Sequence, residues 1–445
     1  MRAFRTGNRA VRVECYRHKS HVTRGAFNLR DHPKTIKSWV MYDWANSAFA
    51  TTIMAAVMPI YYIDAIGGTD AGWGFTQSLA GGLIAIMSPL LGAIADHSNR
   101  KIPFLRLFTL LGIIASILLA IPGEGDIYLA SAFVILGMIG FGAGNTFYDA
   151  LLNDITSPGL REKISARGFS MGYLGGGLLL ALNIVIIQQP GWFGLADSTG
   201  GSRVSFVMVG IWWLVFSLPL LTKVKERSER NTAKIGEQVI AGIKRLRTTF
   251  AQIRRYPELW KFVVAYWFFF DGVNTVIVMA TSYGKTIGIE TGPLITALLI
   301  TQFIGFPATF LFGNLAVKLG PKRMLIASQA LYIVIVVLGY FMTNATHFYI
   351  LAALVGLVQG GSQATARSIY SKLIPDGRAA EFNGFLSATS RFFSFIGPLV
   401  FALVRVFTDS SRTALLAIAF FFVVGMVLLT LVNTAKGERE ATQAG

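Results

Sequence analysis

Residues 262–280 read Phe-Val-Val-Ala-Tyr-Trp-Phe-Phe-Phe-Asp-Gly-Val-Asn-Thr-Val-Ile-Val-Met-Ala, an apolar run with one charged side chain, Asp271. About 20 apolar residues of helix span the ~30 Å hydrocarbon core of a bilayer. The whole chain has this character, because 53% of its 445 residues are hydrophobic and only 14% are charged. We predict an all-α integral membrane protein with twelve transmembrane helices, near 39–63, 74–95, 103–121, 127–152, 167–188, 204–222, 259–282, 293–316, 324–342, 348–372, 382–404 and 413–433.

The interval 223–258 is the longest break between these segments, and it separates six of them from the other six. This spacing predicts two six-helix bundles joined by a cytoplasmic linker. The predicted domains are a basic N-terminal tail at 1–38, bundles at 39–222 and 259–433, the linker at 223–258, and a C-terminal tail at 434–445.

Apolar residues recur in the linker at spacings of three and four, which is the period of one face of a helix. The other face of that helix is basic. Such a helix would lie on the anionic inner surface of the membrane or pack beneath the helix bundle. Its apolar face consists of Ile235, Val239, Ile243, Leu246, Phe250 and Ile253.

The basic residues predict the orientation, because Lys and Arg concentrate in cytoplasmic loops. With both termini in the cytoplasm, the loops on the opposite side hold only Arg203, Lys285, Arg405 and Arg412 of the 40 Lys and Arg residues. The same asymmetry explains the net charge of +17 without a nucleic-acid partner. We expect a multi-pass protein of the cell (inner) membrane, surrounded by lipid.

A duplicated chain should show matching motifs in its two halves. The first and seventh helices share Asp-x-x-Asn followed by Ser or Thr, at 43–47 and 271–275. A turn of glycine and basic residues follows the second and eighth helices, at 92–101 and 313–322. These matches, with two more in the same chain order, predict two pseudo-symmetric halves. The further matches pair Gly144 and Pro158 with Gly361 and Pro375, and 168–169 with 384–385.

Two of these motifs resemble those of a known family. Residues 92–101, Gly-Ala-Ile-Ala-Asp-His-Ser-Asn-Arg-Lys, are similar to the signature Gly-x-x-x-Asp-x-x-x-Arg-Lys of the major facilitator superfamily. Residues 42–49, Tyr-Asp-Trp-Ala-Asn-Ser-Ala-Phe, resemble the hallmark of its vacuole-effluxer-like branch, as do 271–272 and 359–368. The resemblance implies a transporter whose first, fourth, seventh and tenth helices line a central cavity. Fungal members of the branch release amino acids from the vacuole.

Ionisable groups inside transmembrane helices are costly unless they face a cavity or a partner. Asp271 stands out, because apolar residues flank it on both sides. Its carboxyl group could exchange a proton near neutrality or pair with a cationic group of a substrate. Alternatively, it forms an interhelical bond that fixes packing. The candidate residues of a substrate and proton pathway are Asp43, Asn46, Asp149, Asp271, Asn274, Gln359, Gln363 and Arg367.

The amide side chains in this set follow a helical spacing. Asn46 and Asn274 each lie three residues beyond an Asp, so the amide and the carboxyl group share one helix face. Gln359 and Gln363 lie one turn apart on the tenth predicted helix. These amides could line a cavity or bond neighbouring helices.

Arg367 continues the stripe of polar residues on the tenth helix by one more turn. Its guanidinium group could bind a substrate carboxylate with two hydrogen bonds. Alternatively, it could pair with Asp149 or Asp154 in the other half. Arg391 is another basic residue inside a predicted span, and its role is equally open.

The loop between the second and third helices has a mechanical interpretation. We predict a gating loop of Gly92, Asp96, Arg100 and Lys101, in which glycine permits close helix approach and Asp96 pairs with a basic residue or a helix N-terminus. Such contacts would latch the cytoplasmic side. The alternative is a solvated turn that only orients the chain.

The sequence predicts neither an enzyme nor a cofactor or metal site. Its five histidines lie in tails or loops without metal-ligand spacing, it has one cysteine, and it lacks a Walker-type phosphate-binding motif. A membrane-embedded enzyme would need a nucleophile, base or metal constellation, and none is visible.

The predicted function is secondary active transport by alternating access. A proton or ion gradient would supply the energy, and we expect a proton-coupled monomer. The resemblance favours efflux of amino acids or similar small polar solutes. The alternatives are transport of a lipid or another hydrophobic compound on the same fold, and a membrane sensor that binds a solute without moving it.

Overall fold

The computed structural model describes residues 31–97, 101–157, 160–224, 240, 244, 247–375, 382, 385–386, 389–390 and 392–443. Most of these residues lie in helices. We number the main helices α1 (Pro33–Asp64), α2 (Asp70–His97), α3 (Lys101–Leu118), α4 (Ile127–Ile155), α5 (Arg161–Gln188), α6 (Ser198–Lys223), α7 (Pro257–Thr286), α8 (Thr291–Leu319), α9 (Pro321–Tyr340), α10 (Ala345–Leu373), α11 (Ile396–Thr408), α12 (Ser411–Thr430) and α13 (Thr434–Gln443).

The helices confirm the predicted all-α membrane fold. Ten helices in the described part of the chain, all those numbered except α2, α11 and α13, are long and apolar enough to cross a membrane. The remaining two predicted spans correspond to α2 and to α11, whose described part is a shorter apolar helix of 13 residues.

The first helix changes its winding near the middle. It begins as an α-helix at Pro33, continues as a π-helix over Phe49–Ala56, and ends as an α-helix at Asp64. Proline suits the first helical position, because the N–H group it lacks would have no partner there. The helix therefore begins six residues before the predicted boundary at Trp39. Residues 1–30 of the predicted N-terminal tail lie outside the described residues.

Gly168, Gly172 and Gly176 recur every four residues along the sequence, a spacing that predicts close helix packing. In the structure these glycines let α5 pack closely against α1. A Cβ atom added at Gly172 would lie 2.5 Å from the Ser47 hydroxyl oxygen, and one added at Gly176 would lie 2.9 Å from the Thr51 methyl group. A Cβ atom at Gly168 would lie 2.9 Å from an oxygen of Asp43. Three small residues on α5 therefore face three polar residues on α1, each one turn apart.

The predicted C-terminal tail is folded. Residues Thr434–Gln443 form α13, which packs against the beginning of α7 and the end of α10. The buried Glu258 carboxylate accepts hydrogen bonds from the Asn433 backbone N–H (2.7 Å) and from Lys261 (3.0 Å). The Lys322 ammonium group donates to the carbonyl oxygens of Thr430 and Val432, at 2.9 and 2.6 Å.

The described part of the linker packs beneath the second bundle. Ile253 is fully buried, and the Phe250 ring lies 6.1 Å from the Phe385 ring. The Arg254 guanidinium group stacks 4.5 Å from the Phe250 ring and 5.2 Å from the Trp260 ring. These contacts support packing against protein for this segment, rather than burial in lipid. The other members of the predicted apolar face, Ile235, Val239, Ile243 and Leu246, lie outside the described residues.

The contact between α1 and α5 generates a stability prediction. We expect Gly172→Val to lower the free energy of unfolding by about 1–3 kcal/mol, because the added methyl groups force α5 away from Ser47. Thermal unfolding of the purified protein in detergent, followed by intrinsic fluorescence, measures the effect. Gly177→Val is the matched control on the same helix, because no atom lies within 4 Å of a Cβ atom built there. Equal unfolding temperatures for the two variants would contradict close α1–α5 packing.

Candidate functional site

Asp43 lies where α1, α4 and α5 meet. Its carboxyl group is half-buried beside the Ser47 and Tyr148 side chains. Cβ atoms added at Gly168 and Gly172 would lie 2.9 and 3.2 Å from its two oxygens, so α5 has no side chains at these points to cover it. The glycines thus permit a carboxylate in the wall of the first bundle.

A second carboxyl group lies beside this one. Asp149, next to Tyr148 on α4, is exposed and lies within electrostatic reach of Asp43. Asp43 and Asp149 are two of the predicted pathway residues, and both belong to the first half.

An aromatic cluster holds Tyr148 in place. Its ring stacks on Trp39 with the centroids 4.3 Å apart, and the Trp39 indole N–H donates to the Tyr148 carbonyl oxygen at 3.0 Å. The Tyr42 ring lies 4.8 Å away on the other side. Sequence analysis did not identify Tyr148, because aromatic residues are common throughout the predicted spans and nothing distinguishes this one.

Asn46 connects α1 to α4. Its amide nitrogen donates to the side-chain oxygen of Asn145 at 2.6 Å, and the residue is 2% exposed. Of the two predicted roles for Asn46, bonding a neighbouring helix is the one this contact supports. Asn145 was missed, although it lies four residues before Asp149 on the same helix face.

Asp271, the repeat equivalent of Asp43, has different surroundings. It is 2% exposed, and its Oδ1 atom has no hydrogen-bond partner among the described residues. The carboxyl group lies at the backbone N–H of Gly397, in the first turn of α11. A Cβ atom at Gly397 would lie 2.9 Å from Oδ1. Asp271 is therefore enclosed between α7 and α11.

Asn274 compensates for a proline at the beginning of α11. Pro398 has no N–H group to donate to the carbonyl oxygen four residues earlier, that of Ser394. The Asn274 amide donates to that oxygen instead, at 3.2 Å. In the second half, the Asp-x-x-Asn motif thus contacts two backbone groups at the start of α11.

Arg367 connects the two halves. This exposed residue of α10 places its guanidinium carbon 5.4 Å from the centre of the Phe169 ring on α5. It also lies beside the Tyr266 hydroxyl group on α7 and within electrostatic reach of Tyr173 on α5. Phe169 and Tyr173 are one turn apart and about half exposed, at 49% and 55%. Sequence analysis did not identify these two rings.

The Tyr173 side chain is close to groups of opposite charge. Both the Arg367 cation and the Asp43 carboxyl group are within electrostatic reach of its hydroxyl group. Asp43 of the first half and Arg367 of the second half thus both lie near α5, and Asp149 lies near Asp43. Gln359 and Gln363 precede Arg367 on α10 and are half-buried, whereas Asp271 and Asn274 contact α11.

One suggested ion pair has a different partner. The Asp154 carboxylate pairs with Lys101 at 2.7 Å, within the first half, and Arg367 contacts aromatic rings. Lys101 belongs to the predicted gating loop. The backbone at Gly92 and Asp96 is helical at the end of α2. The Asp96 side chain, Arg100 and Arg391 lie outside what the structure describes.

The described residues contain no cluster of three or more His, Cys, Asp or Glu side chains that could hold a metal ion. The polar groups of the site are carboxylates, amides, phenols and one guanidinium group. This arrangement suits reversible binding of a charged or polar solute.

Comparison with known proteins identifies the family. Residues 69–442 match the family model described as "Vacuole effluxer Atg22 like". An uncharacterized MFS-type transporter of Bacillus subtilis (strain 168), YxiO, is 36% identical over 414 residues, which cover 91% of this chain and 96% of that protein. Autophagy-related protein 22 of Yarrowia lipolytica is 25% identical over 311 residues, 63% of this chain and 51% of that longer protein.

Solved structures show the same fold. The crystal structure of the nucleoside transporter NupG superposes with a TM-score of 0.66, covering 90% of this chain and 99% of that one at 12% identity. YxiO and NupG are transporters, in agreement with the prediction that this protein is not an enzyme. The chain belongs to the vacuole effluxer Atg22-like family of major facilitator transporters.

Proposed function

We propose that this protein is a proton-coupled secondary transporter for amino acids or similar small zwitterionic solutes, working by alternating access. One observation carries the proposal: the Asp43 carboxyl group of the first half lies against α5, and the Arg367 guanidinium group of the second half lies 5.4 Å from the Phe169 ring of the same helix. Both charges are within electrostatic reach of Tyr173, and Asp149 is within electrostatic reach of Asp43. A zwitterion carries the complementary pair of charges.

The chemistry of each group assigns it a part of the solute. A guanidinium group binds a carboxylate with two parallel, charge-assisted hydrogen bonds. A carboxylate binds an ammonium group, so Asp43 and Asp149 would hold the amino end. The exposed Phe169 and Tyr173 rings offer apolar contact to a side chain. Because apolar contact discriminates weakly among side chains, we expect broad selectivity among amino acids.

The placement of the charges on different halves links binding to motion. A solute held by Arg367 and Asp43 at once draws the halves together, whereas the empty site leaves the charges separate. A ligand shifts a conformational equilibrium only by its different affinities for the two states. Simultaneous contact with both halves supplies such a difference.

Competition for the carboxylates supplies a route for proton coupling. A proton and a substrate ammonium group are alternative partners of Asp43 and Asp149. Protonation on one side of the membrane would release the solute, and loss of the proton on the other side would restore the site. A pH gradient would then drive the solute in the opposite direction to the proton.

We expect Asp43→Asn to lower the rate of transport driven by a pH gradient at least tenfold, because the amide cannot exchange a proton. The assay is uptake of radiolabelled amino acids, tested as a mixture, by proteoliposomes with an imposed pH difference. Glu438→Gln, at an exposed position on α13, is the control and should match the parent. Full gradient-driven uptake by the Asp43 variant would refute the coupling route.

Replacing Arg367 tests recognition of the solute carboxylate. We expect Arg367→Lys to raise KM about tenfold, equivalent to ~1.4 kcal/mol, because lysine cannot form the paired hydrogen bonds. Inhibition of uptake by amines that lack the carboxylate should be unaffected by this change. Lys372→Gln, at an exposed position on the same helix, should match the parent. An equal effect of Arg367→Lys on amino acids and on these amines would contradict the assignment.

Asp271 provides a third test, because its motif matches that of Asp43 while its surroundings differ. We expect Asp271→Asn to slow transport greatly while the protein remains folded, since the change alters the contact between α7 and the beginning of α11. Uptake in proteoliposomes and size-exclusion chromatography measure the two properties. An unchanged rate and an unchanged pH dependence would remove Asp271 from the mechanism.

A further inference from the structure

Two ion pairs join the halves on the side of the membrane away from α13 and the linker, which we call the distal side. The Lys285 ammonium group at the end of α7 lies 2.7 Å from the Asp64 carboxylate at the end of α1. Arg405 at the end of α11 lies 3.2 Å from the Asp70 carboxylate at the beginning of α2. Each pair takes one residue from each half.

Asp70 is the more deeply enclosed acid. It is 0% exposed, and its Oδ1 atom accepts hydrogen bonds from Arg405 Nε and from the Ala71 backbone N–H, at 3.2 and 2.9 Å. Its Oδ2 atom is buried without a hydrogen-bond partner in the described part of the chain. Removing one partner of a buried ion pair is strongly destabilising, because the other charge stays buried and unpaired. The buried Asp70 carboxylate therefore depends on Arg405 as its charged partner.

The helices beside this ion pair are in close contact. A Cβ atom added at Gly74 of α2 would lie 3.0 Å from the Pro398 carbonyl oxygen and 3.1 Å from the Ala402 methyl group of α11. The Trp73 indole N–H donates to the Val278 carbonyl oxygen at 3.0 Å. The distal ends of α2, α7 and α11 thus form one tight contact between the halves.

The pseudo-symmetric contact, between α5 and α8, is uncharged. The Gln188 amide donates to the Thr296 hydroxyl oxygen at 3.4 Å and to the Gly292 carbonyl oxygen at 3.5 Å. These bonds are longer and more exposed than the charged contact. Among the described residues, the ion pairs between the halves on this side of the membrane are therefore Asp70–Arg405, at the α2–α11 contact, and Asp64–Lys285.

Arg405 has a second acidic partner within its own half. Its Nη1 atom donates to the Asp409 carboxylate at 2.6 Å, and the Asp409 side chain is 96% exposed. Asp409 follows α11 and has a left-handed backbone conformation, with φ of 50°. When the halves separate, Asp70 would move away from Arg405, whereas Asp409 would move together with Arg405.

We propose that Asp70–Arg405 and Asp64–Lys285 form a distal latch that holds the two halves together, and that Asp409 keeps Arg405 paired after the latch opens. The latch would favour the distally closed state. Breaking it would shift the equilibrium towards the distally open state without any change at the solute site.

The test measures distal opening directly. In a Cys15→Ser background, Ala402→Cys places a thiol at a fully buried position of the α2–α11 contact. A membrane-impermeant maleimide is added on the distal side, and the labelling rate is followed by mass spectrometry. We expect Arg405→Gln to accelerate labelling about tenfold, corresponding to ~1.4 kcal/mol of the opening equilibrium. Gln188→Ala, at the uncharged contact, should change the rate far less.

If Arg405→Gln does not fold, exchanging the charges of the Asp64–Lys285 pair tests the proposal instead. Lys285→Asp should accelerate labelling, and Asp64→Lys combined with Lys285→Asp should restore the parent rate. Parent-like labelling of both Arg405→Gln and Lys285→Asp would overturn the latch, and so would a double variant that remains as fast as Lys285→Asp. The readout needs no substrate, so it stands apart from the assignment of the solute.

Discussion

Polar groups inside a bilayer have no water to pair with, so protein partners must satisfy them. Several ionisable side chains in the described part of the chain have such protein partners. Asp154 pairs with Lys101. Glu258 accepts hydrogen bonds from Lys261 and from the Asn433 N–H, and Lys322 donates to two carbonyl oxygens. Asp43 and Arg367 differ from these, because they belong to opposite halves and are both within electrostatic reach of Tyr173. In the proposed mechanism, these two groups bind the opposite charges of one solute.

The two copies of the Asp-x-x-Asn motif have different surroundings. In the first half, the Asp43 carboxyl group lies against glycines of α5 and near Asp149, and Asn46 bonds to α4. In the second half, Asp271 and Asn274 contact backbone groups at the start of α11. We propose that the first copy contributes to the binding site and that the second acts on transport through the position of α11.

Apolar runs and the spacing of glycines along the sequence predicted much of this architecture. Apolar runs located the helices, and the spacing of Gly168, Gly172 and Gly176 predicted a closely packed helix contact. Helix boundaries were less exact, since α1 begins at Pro33 and the predicted C-terminal tail contains α13. Local patterns show which residues share a helix face, but they do not show which helix packs against that face.

Long-range pairs were therefore beyond sequence reasoning. Asp70 and Arg405 are 335 residues apart, and no motif connects them. The basic residues on the distal side were identified only by their position in loops, yet two of them pair with acids of the other half. Likewise, Arg367 was expected to have a carboxylate or a substrate as its partner, and the structure adds the Phe169 ring.

The proposed mechanism requires that a solute and a proton compete for the Asp43 and Asp149 carboxylates. The most direct measurement is the pH change in a weakly buffered solution when the purified protein binds an amino-acid mixture at near-neutral pH. We predict net proton release by the parent protein and none by Asp43→Asn. Saturable binding by the parent protein with no release of protons at any pH would contradict the account.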